Sequence, residues 1–356
     1  MSALAMLSVI AVAQGIFLFF TIVMLLINRS RLTRRGAGRA LAEAAVSAPV
    51  KQWLIGRTGA TDVAAALRAV HPDFAIEQLV SVLAARVASD EHNELAVALR
   101  DEEWVRRFLH RSRSRIWWRR LGAARLLAVV GTSRDRELLQ SLLADTHPAV
   151  QAAATTALRR LADESLVNFI LDHLPVRPVA VRRYQFAELK EVWWLTTPLL
   201  LHRLTRTAPE LSLEIWINLA EAIGSADLLE RVLTMHDHPS PTVRIATAKA
   251  LKRYYHPASA AALIRLLADS HWRVRGQAAR AVGTIGAVDS VLPLERALRD
   301  DSWWVRFRAG LSLAQLGESG RLALREARSS SDRFASDMAT MISGLSEGGI
   351  IELSEG

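Results

Sequence analysis

The sequence predicts an all-α protein, an α-solenoid of about seven 31-residue helical hairpins preceded by a single transmembrane helix and a helical cap. Two observations predict the solenoid and a third predicts the membrane helix. First, Asp269 to Gly317 reads as one unit written twice. Asp269-Ser270-His271-Trp272-Arg273-Val274-Arg275 opens an Ala-rich helix closing on Ile285-Gly286, and Asp300-Asp301-Ser302-Trp303-Trp304-Val305-Arg306 opens one closing on Leu316-Gly317. Self-similarity at a fixed period marks a repeat array. Second, the 356 residues are 51% hydrophobic with only 6% aromatic, a balance suited to stacked helices. Third, Ala3 to Ile27 carries no charged side chain, and 25 residues at about 1.5 Å each are long enough to cross roughly 30 Å of hydrocarbon.

Each segment follows from its residues. Residues 1–28 are expected to be a transmembrane anchor, since no basic residue precedes the apolar run, which is too long for a signal peptide. Ser8, Ala11 and Gly15 fall near one face of that helix and Gln14 is an amide at mid-depth, a pattern suited to packing against another membrane helix. Arg29, Arg31, Arg34, Arg35 and Arg39 crowd the following tether, residues 29–50. By the positive-inside rule they place the amino terminus outside an inner (plasma) membrane and the rest in the cytoplasm, where the same arginines would meet anionic lipid headgroups. Residues 51–113 read as three or four helices forming an amino-terminal cap.

From residue 114 to 328 the register can be counted. Steps of 31 from Arg119 reach Val150, Val181, Ser212, Val243, Val274 and Val305, and the next residue is Arg in five of the seven (Arg120, Arg182, Arg244, Arg275 and Arg306). Positions zero, four or five, eight and eleven of each unit form one apolar stripe of a 3.6-residue helix. Pro148 and Pro241 stand at first helical positions, and Gly131, Gly224, Gly286 and Gly317 close four units as expected left-handed caps. The remainder, 329–356, is expected to hold one helix through Phe334, Met338 and Ile342, then a frayed, extended tail.

The motifs Asp145-x4-Val150, Asp269-x4-Val274-Arg275 and Asp300-x4-Val305-Arg306, with their Ala-rich helices, resemble the HEAT-like repeat family in the short bacterial form associated with phycobilisome lyases. The resemblance covers roughly Arg113 to Arg328. It implies that the Asp and Arg residues stitch neighbouring repeats together, and it leaves the activity open.

Little chemistry is written in the chain. There is no Cys, no phosphate-cradling Gly loop and no nucleophile elbow, so catalytic, cofactor and metal residues are all expected to be absent. His236-x-His238 is the one local His pair, and a solvated loop is its default reading. No His is followed by Glu, which disfavours the iron-binding hydroxylases built on HEAT-like repeats. A bilin-lyase-like activity rests on repeat resemblance alone.

The feature that suggests binding is the stretch from Arg106 to Arg120. Arg106, Arg107, Arg111, Arg113, Arg115, Arg119 and Arg120 accompany Trp117 and Trp118 with no acidic residue between them. Arg pairs with carboxylate or phosphate, and Trp anchors or stacks. The formal net charge of +9 likewise points to an acidic partner. Trp193-Trp194 and Trp303-Trp304 read first as core packing and second as binding hot spots. The function expected is a non-enzymatic, membrane-tethered scaffold or adaptor for a protein partner, with an accessory subunit of a membrane glycosyltransferase or polysaccharide-synthesis complex as its specific form. An Arg-rich binder of lipid surfaces or nucleic acid is the alternative, nucleic acid being the less favoured ligand.

Overall fold

The computed structural model describes residues 3–83 and 90–355, with side chains described except at 3–13, 15, 31–32, 34–35, 81–83, 90–91 and 355. Among the described residues the chain is all-α and contains no strand. It divides into two compact units, Met1–Leu161 and Ala162–Gly356.

The first unit begins with one unbroken helix, Ala3–Leu54, which runs through the segment read as a tether. Its second half is amphipathic in the way a capping helix requires: Ala42, Val46, Val50 and Trp53 recur on one face and are buried. They pack on the helices Ala60–Arg68 and Pro72–Leu83, whose Val63, Leu67, Ile76 and Leu79 are also buried. Asp90–Arg100 and Glu103–His110 complete the layer against which Trp117–Val130, the first helix of the array, is laid. Ala123 and Ala124, fully buried, let that helix lie close to its neighbours.

The first helices of the hairpins begin at Trp117, Pro148, Val179, Glu210, Pro241, Trp272 and Trp303, in unbroken steps of 31. In the second unit the stack runs from Glu164–His173 to Glu347–Glu355. Val243, Val274 and Val305 are each fully buried, as are Leu251, Val282 and Leu313 eight residues later, so the counted stripe is the core. An eighth pair follows the seven counted from sequence. Arg333–Ser343 is capped by Asp332, whose side chain accepts the Ala335 N–H, and Glu347–Glu355 is helical where an extended tail was expected.

Gly224, Gly286 and Gly317 adopt φ between 65° and 69°, so they are left-handed caps. Gly131 does not, at φ −62°. Its lack of a side chain serves packing, because a Cβ there would lie 2.6 Å from Leu161 Cδ1.

The membrane expectations are corrected. Among the described residues no helix is long and apolar enough to cross a membrane. The first helix continues through its Arg-bearing stretch and docks on the cap. The transmembrane element of the expected fold, the single-pass description and the inner-membrane orientation all fall with this finding. Of the five arginines assigned to headgroups, Arg39 forms a bidentate ion pair with Glu77 on the cap, Arg29 is exposed, and the side chains of Arg31, Arg34 and Arg35 lie outside the described residues. The side chains of Ser8, Ala11 and Gly15 lie outside them too, and Gln14 is exposed.

Two glycines of the helix Trp272–Thr284 give opposite predictions. A Cβ on Gly283 would lie 2.6 Å from the Cβ of Ser312, whose hydroxyl donates to the Ala279 carbonyl at 2.7 Å. Overpacking of about 1–3 kcal/mol outweighs the helix-propensity gain of about 1 kcal/mol, so Gly283→Ala should lower stability in urea unfolding. At Gly276 the nearest atom is Val305 Cγ2 at 3.8 Å, ordinary contact, and Gly276→Ala should raise stability.

Candidate functional site

The turn that opens each hairpin is the chemically richest part of the molecule. Its frame is a charged rung. Arg275 donates through Nε and Nη2 to the two oxygens of Asp300 at 2.5 and 2.9 Å. Its Nη1 donates to the Asp269 and Ser270 carbonyls at 2.8 and 3.1 Å. Arg244 makes the same set with Asp269 and the His238 and Pro239 carbonyls, and in the first unit Arg120 makes it with Asp145 and the Ser114 and Arg115 carbonyls. Each Asp also accepts the backbone N–H two residues on, from His147, His271 or Ser302, at 2.8 Å. One guanidinium therefore ties the turn of its own hairpin to the turn of the next.

These arginines are structural, which takes Arg120 out of the set expected to bind a partner. Gln151, standing in the Arg position, retains only the bond to its own turn, at the Asp145 carbonyl. Arg306 keeps its turn carbonyls, Asp300 at 2.6 Å and Asp301 at 3.0 Å, but lies over the Phe334 ring at 4.5 Å where its predecessors meet a carboxylate.

The remaining arginines of the strip differ. Arg106, Arg113, Arg115 and Arg119 are exposed and have no ion-pair partner among the described residues. Arg107 pairs with Glu103 one helical turn away, and Arg111 lies over Phe108 at 4.4 Å. Trp118 is 60% exposed beside them, in edge contact with Trp117. The helix Glu103–His110 turns Val105, Phe108 and Leu109 to the core, which forces its arginines outward. The short 3-10 turn Arg111–Arg113 then buries Ser112 and leaves both its arginines exposed. The helix Glu103–His110, the turn Arg111–Arg113 and the helix Trp117–Val130, which carry the strip, pack against one another.

The Trp pairs are not core. Trp193, Trp194, Trp303 and Trp304 are all exposed, the last by 53%, which corrects the packing reading. They stand at the first helical positions, ahead of the buried stripe. Trp303 is stacked on Phe307 at 4.9 Å and meets Trp304 edge-on at the same distance. Sequence reasoning missed Phe334, one period beyond Trp303, although the 31-residue count continued to it would have found it.

Between the turns that open the helices at Trp272 and Trp303 lies an open depression of about 450 Å³, lined by Ser270, His271, Trp272, Arg275, Asp301 and Ser302. The His236 and His238 pair is engaged locally. His236 Nδ1 lies 2.9 Å from the Leu233 carbonyl, and His238 Nε2 lies 3.3 Å from that of Arg206. No group of acidic and His side chains among the described residues could hold a metal ion.

The HEAT-repeat family model matches residues 197–275 and, overlapping, 260–339, the stretch that carries the rungs of Arg244 and Arg275. The match is to HEAT repeats as such and does not extend to the phycobilisome-lyase form. Similar solved structures include the Escherichia coli protein YibA, at 14% identity and a TM-score of 0.38, covering 73% of this chain and 99% of its own. An engineered protein is similar at 18% identity and a TM-score of 0.27, over 91% of this chain and 95% of its own. At such scores the fold rests on this chain's own helices and on the family match. No curated protein matches the chain significantly. Residues 197–339 therefore carry HEAT repeats within an all-α stack, an arrangement compatible with a protein-binding adaptor.

The rungs make two predictions. Burial works to raise the carboxyls of Asp145 and Asp269, but the bonds from Arg120 or Arg244 and from the His147 or His271 N–H outweigh it and hold both below the usual range. A carboxyl with a folded pKa below its unfolded value binds its proton more readily when unfolded. Each therefore contributes stability that is full above about pH 4 and is lost as pH falls through the folded value. Thermal melts from pH 6 to 3 should show that loss, smaller in Asp145→Asn and Asp269→Asn. Arg275→Ala should cost about 2–4 kcal/mol in denaturant unfolding, because it strands a nearly buried Asp300 side chain without its counter-ion.

Proposed function

We propose that this protein is a non-catalytic HEAT-repeat scaffold that binds an acidic surface of a protein partner through the strip of its first unit. The observation that supports this most is the division among the arginines. Arg120, Arg244 and Arg275 are locked in rungs, while Arg106, Arg113, Arg115 and Arg119 stand exposed and unpaired beside Trp118. Unpaired surface cations next to an exposed indole combine long-range attraction to an acidic face with a desolvated anchor at contact. Trp303 and Trp304, exposed in the second unit, offer a second anchor of the same aromatic kind.

The membrane glycosyltransferase or polysaccharide-synthesis partner depended on a tether, and the helices do not supply one, so it is not carried forward. Headgroup binding has no observation that favours it over an acidic protein face, so it is not carried forward either. A lyase-type activity has no residue to support it. Single-stranded nucleic acid remains the second reading, because exposed Trp beside Arg is also the arrangement on which bases stack.

The test is affinity capture with the full chain from nuclease-treated extract, against the triple variant Arg113→Glu, Arg115→Glu, Arg119→Glu. The expected result is a stoichiometric protein retained by the parent, lost from the variant, and restored by charge reversal on the acidic face of that protein. The melting temperature should be unchanged, since none of the three arginines is bonded. Capture of nucleic acid alone from untreated extract, weakening steeply with salt, would replace the protein reading with the second one.

A further inference from the structure

The two units treat the same indole position differently. In the first unit, the Trp117 ring is covered by the imidazole of His147, the residue 30 positions on, with centroids 3.9 Å apart and planes within 3°. His147 is held there as the helix cap, its own N–H bonded to Asp145 and its ring nitrogen accepting from Ala149. In the second unit the corresponding indole is Trp272, and the residue 30 positions on is Ser302. Ser302 accepts the same backbone position, with its N–H on Asp300 at 2.8 Å, but carries no ring. The depression lined by Trp272 and Ser302 lies where the missing imidazole would stand.

The other rings and charges around it complete the description. His271 lies parallel to Trp272 within 10°, but at 6.4 Å between centroids it does not cover the indole face as His147 does. Arg273 lies 5.3 Å over Trp272 and takes no part in lining the depression. The Arg275 guanidinium in the wall is already paired with Asp300. Asp301, exposed at the rim, has no hydrogen-bond or ion-pair partner on its carboxylate among the described residues.

We propose that this slot receives the side chain of an arginine from a partner protein, its guanidinium stacked on Trp272 in the place of the absent imidazole and paired with Asp301. A guanidinium is flat, so it fits a space that elsewhere holds a flat ring. It stacks on indole while keeping its N–H edge free for a carboxylate, which a compact ammonium cannot do. The proposal depends on the scaffold reading only for the source of the arginine, and the slot is tested separately from the strip.

The experiment follows the Trp272 indole N–H by ¹H–¹⁵N NMR in the full chain, assigned with Trp272→Phe. The probe is Nα-acetyl-arginine amide, with the neutral citrulline analogue as its comparison. The expected result is a saturable, millimolar shift of Trp272 with the arginine probe and at least a roughly ten-fold weaker response to citrulline, which keeps the shape without the charge. Asp301→Asn should weaken binding roughly three- to five-fold, the scale of an exposed ion pair. Ser302→His rebuilds the arrangement of the first unit and should abolish the shift. No Trp272 shift with arginine, an equal response to citrulline, or a shift unchanged by Ser302→His would each overturn the proposal. The Arg113, Arg115 and Arg119 variant leaves this slot intact, so loss of the strip and loss of the slot are read separately.

Discussion

The geometry of one side chain sets the joint on which the array depends. A guanidinium has five N–H donors in a fixed plane, and here they point two ways at once. One edge holds the carboxylate of the next turn, while the remaining nitrogen reaches back to two carbonyls of its own turn. Those carbonyls lie where a chain leaving one helix must bend to start another, so they have no helical partner. A lysine could answer one of these demands but not both. The Asp is equally committed, since it also accepts the N–H that starts its helix. Where it forms, the joint closes turn on turn and fixes the phase of two successive hairpins.

Around that joint the rest is sorted by what must be buried. In the second unit the valine before each rung arginine, Val243 or Val274, points inward with the residues four and eight positions on. The residues one and two positions before that valine have nowhere to go but outward. Proline is harmless there, and so is tryptophan once its neighbours leave it exposed. The same local rule therefore produces a dry core and, along the turns, a row of side chains free to meet something else. In the first unit the row begins with unpaired arginines and Trp118. In the second it ends with Trp272, Trp303 and Phe334.

Much of this was legible in the sequence, and the reasons are physical. A period of 31 with no insertion reports a stack, because any change in length would break the joint between turns. The inward stripe could be read for the same reason that it is inward, as it must recur at helical spacing. What misled was hydropathy without context. Ile16 to Ile27 looked like part of a membrane span, yet the helix that carries it continues to Leu54 as a capping element with Trp53 buried. Trp303 and Trp304 looked like core by their bulk, but they open their helix two and one residues ahead of the buried Val305 and both face outward. Gly131 looked like Gly224 and differs because its role is clearance from Leu161 and not a left-handed turn. The empty position beside Trp272 could not be read at all until His147 was seen stacked on Trp117.

The end of the array is built differently from its middle. Arg306 rests on the ring of Phe334, with no carboxylate taking the place of Asp300. A ring face has no proton to gain, whereas the joints at Asp145 and Asp269 depend on groups that do. Acid therefore acts on this molecule unevenly along its length. Protonation removes the ion pair from the joints at Asp145 and Asp269, whereas the contact of Arg306 with Phe334 has no such pair to lose.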